Sequence, residues 1–152
     1  NHTLSANANY GVYASATFDG DTNIADIGGA TLGAASVSNL CMSCHDGTIG
    51  LGSLYNNPNY LGVTPPSNSA ATITGSADMG TSLVNDHPIN FDYADSDAAD
   101  PDIVAEGSVP ANMLFGGTVQ CSSCHDPHIT ANGAFLVLDN TDSALCTTCH
   151  LK

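Results

Sequence analysis

CSSCHDPH, residues 121–128, sets two cysteines either side of a two-residue gap, a histidine directly after the second cysteine, and another histidine three residues further on. Its first five residues follow a pattern that recurs. All six cysteines of the chain fall into three copies of it: Cys41-Met-Ser-Cys44-His45, Cys121-Ser-Ser-Cys124-His125 and Cys146-Thr-Thr-Cys149-His150. A zinc site also uses C-x-x-C pairs, but it needs four ligands for each metal, and three pairs with three histidines divide poorly into tetrahedral sets. A disulfide framework has no use for a histidine after every second cysteine.

C-x-x-C-H is the attachment signature of c-type haem. The two thiols add to the two vinyl groups of a porphyrin, whose separation the two-residue gap matches, and the adjacent histidine becomes the proximal ligand of the iron. Three copies predict three covalent haems, with His45, His125 and His150 as proximal ligands. Of the six histidines, His2, His87 and His128 are then left over, one for each vacant distal position, so all three irons are read as bis-histidine. Met42, Met79 and Met113 are the rival sixth ligands. Met42 lies inside the first motif and cannot reach the far side of its own ring; the other two read as packing residues. His128 sits just past Pro127 and cannot travel around the ring that His125 holds. It is expected to ligate a different haem, that of Cys41 and Cys44 or that of Cys146 and Cys149. The segment 121–128 would then pin two irons close together, which electron tunnelling requires.

Composition narrows the class further. Fifteen acids face one base, Lys152, and the formal charge of −14 leaves nothing to neutralise phosphates, so a nucleic-acid binder and a polybasic membrane contact are excluded. No apolar run approaches the roughly 20 residues of a membrane span. The chain opens on Asn1 with no signal peptide in view, and cleavage from a precursor is expected. The apolar fraction of 42% is inflated by 19 alanines; Leu, Ile, Val and Phe together number 31 of 152 residues. At this net charge such a chain has too little large apolar material for an ordinary core. Porphyrins are expected to fill the middle.

The whole chain, 1–152, reads as a single trihaem domain. Its expected fold is mostly irregular coil with a few short helices and little sheet. Residues 1–36 read as an extended N-terminal arm. Short helices are predicted at 37–45 and 142–150, the latter capped by Ser143 or Asp142. Loops are predicted at 52–80 and at the acidic stretch 92–102, with short extended pieces near 116–120 and 134–138. His87 is aimed by Pro88, which fixes the local backbone. His2, one residue from the terminus, would be tied down by coordination, within the chain or on a neighbouring subunit. With no arginine to meet the haem propionates, calcium is a candidate counter-ion, either at Asp19-Gly20-Asp21-Thr22-Asn23 or in the 92–102 loop.

The stretches CMSCHDGTIG, DHPINFDY, CSSCHDPH, FLVL and LCTTCH resemble the doubled C-x-x-C-H multihaem cytochromes, over residues 41–55 and 87–150. Within that group the chain is similar to the cytochromes that polymerise into extracellular nanowires, although it carries fewer attachment motifs than those usually do. The resemblance implies an electron carrier rather than an enzyme, since bis-histidine iron is closed to substrates. It also implies identical subunits joined head to tail, with one distal ligand crossing between them, and His2 is the natural residue to cross. Extracellular acceptors would be the redox partners and the cell exterior the location. A soluble monomeric shuttle in the periplasm is the alternative, though small trihaem shuttles are shorter and rich in lysine.

Overall fold

A computed structural model of the chain describes Tyr10, Tyr13, Phe18, residues 36–48 and residues 72–151. His2, the Asp19–Asn23 stretch, most of the 1–36 arm and most of the 52–80 loop lie outside the described residues. Among the described residues the architecture is coil and turns with three short α-helices and one two-stranded sheet: α1 (Val37–His45), β1 (Phe91–Asp92), α2 (Tyr93–Ala99), β2 (Thr118–Val119) and α3 (Cys121–Cys124). No helix of the described residues is long and apolar enough to cross a membrane.

The helix expected at 37–45 is α1, and it carries the first motif on its last turn. It stops at Asp46, whose N–H closes onto the Met42 carbonyl, and the chain then turns at Gly47 with φ +72°. A Cβ at Gly47 would stand 2.6 Å from the Asp78 carboxylate, so glycine is needed there for its conformation and for the close approach. The loop expected at 92–102 is in large part helix: Asp92 caps α2 by accepting from the Ala94 N–H at 3.0 Å, and the alanines of YADSDAA favour the turn over the coil that a run of acids suggests. The helix expected at 142–150 is instead two single 3-10 turns, Thr141–Ser143 and Cys146–Thr148. Asp142 and Ser143 adopt positive φ and cap nothing. The work falls to Asp139, which accepts from the Thr141 N–H and hydroxyl at 2.7 and 2.6 Å, and to Asn140, which accepts from the Leu145 N–H. The Thr141 donors hold the Asp139 carboxyl below its ordinary titration range.

β1 and β2 pair antiparallel, Phe91 opposite Val119 and Asp92 opposite Thr118. This pairing delivers β2 directly into Gln120 and the second motif. The core is two small clusters. Phe91, Tyr93, Val109, Met113, Val119 and Leu145 form the larger; Tyr10, Met42 and Leu83 form the smaller, and Ile89 packs against both. Met113 is a packing residue, as expected, whereas Met79, expected to pack as well, is exposed; Met42 is buried in the smaller cluster. Two N-terminal side chains join these clusters: Phe18 meets Phe91 edge to face at 5.3 Å, and the Tyr10 hydroxyl donates to the buried Asp46 carboxylate at 2.8 Å.

Candidate haem-attachment sites

Each attachment motif ends against a short rail of backbone supplied by another part of the chain. The His45 carbonyl accepts from the Met79 N–H at 2.8 Å. His125 bridges Leu136, with the Cys124 carbonyl accepting from Val137 and the Asp126 N–H reaching the Phe135 carbonyl. His150 bridges Ile103, with the Cys149 carbonyl accepting from Val104 and the Leu151 N–H reaching Asp102. Residues 134–138, expected to be extended, form the second of these rails, but Ala134 and Phe135 take positive φ of 44° and 58° and only Leu136 makes a bridge. The 77–79 rail lies in the expected 52–80 loop and the 102–104 rail runs past the end of the expected 92–102 loop, because isolated backbone contacts leave no periodic pattern in the sequence.

The rails also orient imidazoles. His45 Nδ1 lies 2.8 Å from the Ala77 carbonyl and His125 Nδ1 lies 2.9 Å from the Ala134 carbonyl. A carbonyl oxygen can only accept, so Nδ1 carries the proton and Nε2 presents its lone pair, the arrangement a metal-ligating histidine needs. His87 has the same device: its Nδ1 donates to the Pro88 carbonyl at 2.8 Å. The His87 and His150 rings lie edge to face, with centroids 6.3 Å apart and planes inclined by 77°. The His128 backbone N–H is held by Asp126 at 2.9 Å, closing the turn after the second motif.

The three cysteine pairs lie next to one another. Cys41 and Cys121 meet side chain to side chain where α1 packs on α3. That hydrogen bond from Cys41, with help from Ser38 and His125, lowers the Cys121 thiol to about 6 despite its burial. The same bond, then burial, pushes Cys41 up. Burial, then the charges of Cys149 and Cys146, push Cys124 up, and Cys124 and Cys149 pack against the same apolar cluster. Tyr93 braces this end: its hydroxyl donates to the Val104 carbonyl at 2.8 Å, and burial and then the neighbouring Cys149 raise its titration.

Gln120 is the residue that sequence reasoning missed. Buried just ahead of Cys121, its side-chain oxygen accepts from the Ser36 and Ser38 hydroxyls at 2.8 and 2.6 Å. Its amide nitrogen donates to Asn90 and Thr118, each at 2.9 Å. The Ser38 hydroxyl in turn accepts from the Cys121 N–H. Four residues from three stretches of the described chain, at 36–38, 90 and 118, meet on one side chain, and nothing in the sequence distinguishes this glutamine from a surface one.

These residues fit a porphyrin better than a bare metal ion. The six cysteines form no disulfide with one another. Among the described residues no three or more His, Cys, Asp or Glu side chains come together as a metal cage; a haem iron asks the protein only for an axial pair. In the acidic 92–102 stretch proposed for calcium, Asp92, Asp97 and Asp100 each accept a backbone N–H. Large apolar side chains stand exposed beside the motifs: Leu40 before Cys41, Phe135 and Leu138 on the second rail, and Leu151 after His150. A porphyrin face covers such side chains.

A family model, that of the doubled CXXCH motif, matches residues 115–152, which span the second and third motifs and the rail of the second. No curated protein matches the chain. The family match supports a multihaem c-type cytochrome, with covalent haem c on C-x-x-C-H motifs and electron transfer as its work.

Proposed function

We propose that the chain is a trihaem electron carrier, a single domain over 1–152, in which His45, His125 and His150 are proximal ligands and His2, His87 and His128 are distal ones. Bound haem supplies a one-electron couple at each iron. The protein holds the three attachment motifs in contact, orients the imidazoles through their Nδ1 protons and closes both faces of each iron to reactants. The packing of α1 on α3, which sets the first motif beside the second, and the one apolar cluster against which Cys124 and Cys149 both pack are the observations that carry this reading, since tunnelling demands close centres.

Beyond this, the chain is read as the subunit of an extracellular conductive filament, with His2 reaching the haem of the next subunit in a head-to-tail polymer. Its support is the resemblance noted above and the near absence of lysine, which a docking shuttle would use. The periplasmic monomer has its own support: Tyr10 and Phe18 pack on their own chain, so part of the N-terminal segment is self-contained. Electron microscopy of native material, with haem counted as the pyridine haemochrome, decides between them. Filaments with three low-spin haems per chain are expected; monodisperse monomers would overturn the filament. Calcium as a propionate counter-ion predicts a lower melting temperature after chelation, and an unchanged melt would dispose of it.

A further inference from the structure

We propose that His87 and His150 are the two axial ligands of one iron, that of the haem carried by Cys146 and Cys149. The assignment rests on the trihaem bis-histidine reading and adds which distal histidine serves which haem. A metal–imidazole bond is about 2 Å and a ring centre lies about 1 Å behind its nitrogen, so two imidazoles on opposite sides of one iron have centres roughly 6 Å apart. The His87 and His150 centroids stand 6.3 Å apart. Each axial ring contains the nitrogen–iron line and can rotate about it, so planes inclined by 77° suit an axial pair.

The tautomer of His87 points the same way. With Nδ1 donating to Pro88, its Nε2 is left as a bare donor, as in the motif histidines His45 and His125. The two rings are also held by unrelated supports. His150 is fixed by the 102–104 rail. His87 follows the turn in which the Asp86 N–H reaches the carbonyl of the buried Leu83, and Pro88 limits its backbone. Residues far apart in sequence are thus set at ligand spacing by the fold, not by local geometry.

The pairing resolves the rest by count. His128 cannot serve the ring of His125, and the ring of His150 is taken, so His128 falls to the haem of Cys41 and Cys44, whose helix packs on α3. His2 is then left for the haem of Cys121 and Cys124, of its own chain or, in the polymer, of the next subunit.

The test uses the fully loaded protein. His87→Gly is expected to turn one haem in three high-spin by absorption and resonance Raman, and added imidazole is expected to restore it. In a Cys146→Ala/Cys149→Ala background, which loses the third haem, the same substitution is expected to change nothing. High-spin haem in that background, or none in the single variant, would overturn the pairing. If the background variant does not accumulate, nuclear Overhauser contacts in the reduced wild type decide it: the His87 ring should lie against the haem bonded to Cys146, and contacts to another haem would overturn the proposal. Wild-type protein that already holds high-spin iron, or fewer than three haems, would bring down the bis-histidine reading itself, a separate failure visible before any substitution.

Discussion

At the scale of single residues, Gln120 joins the first and second attachment sites. Its amide is shared among Ser36 and Ser38 at the start of α1, Asn90 before β1 and Thr118 in β2, and all but Thr118 of these partners are buried. Buried polar networks are costly to leave half-satisfied, because each orphaned group has given up water without recovering a partner. Gln120→Leu keeps the volume and removes every bond of the side chain. It is expected to destabilise the loaded protein by about 2–4 kcal/mol, read from urea unfolding. Ser38→Ala, which orphans the Cys121 N–H and removes one of the donors to Gln120, should cost less, about 1–2 kcal/mol. If both substitutions leave the unfolding midpoint in place, the network does not hold the two sites together.

At the scale of elements, the unit is a motif turn laid against a rail, and the third unit is locked by one hydroxyl. The Tyr93 O–H reaches the carbonyls of Val104, on the rail, and of Cys149, in the motif, at 2.8 and 3.4 Å. Tyr93→Phe retains the ring in the core and deletes only this bond. A loss of about 1–2 kcal/mol is expected, seen as a melting point lower by roughly 2–8 °C in the loaded protein. An unchanged melt would mean that the backbone bridge from Ile103 to His150 suffices alone. The units also show what a sequence carries. The motifs and the shortage of sheet were legible, because thiol spacing and composition are local signals. The rails at 77–79 and 102–104 were not, because their partners lie elsewhere in the chain and each makes at most one bridge. Residues 92–102 misled because acids were counted as loop formers, whereas Asp92 serves as a cap and the alanines propagate α2. The pairing of His87 with His150 was equally out of reach: histidines can be counted from the sequence, but only the fold shows which two lie together.

At the scale of the whole molecule, the described residues bury only two modest apolar clusters, while Leu40, Val84, Phe135, Leu138 and Leu151 stand largely in the open. Ordering a chain of this length costs on the order of 1–2 kcal/mol of backbone entropy per residue, which so small a core cannot offset by itself. The charge of −14 adds self-repulsion with no basic side chain but Lys152 to relieve it. What makes the compact state favourable must be apolar, large and near the motifs, and covalent porphyrins are all three. Replacing all six cysteines with alanine therefore predicts more than a loss of colour. The haem-free chain is expected to lack a cooperative thermal transition, to show fast amide exchange across α1, α3 and the three rails, and to bind hydrophobic dyes at the surfaces the porphyrins would have covered. The alanines keep every buried residue of the two clusters but trim Cys124 and Cys149, which pack against the larger one. A cooperative melt in the six-alanine chain, with rails and helices protected from exchange, would show instead that the polypeptide folds first and only then receives its cofactors.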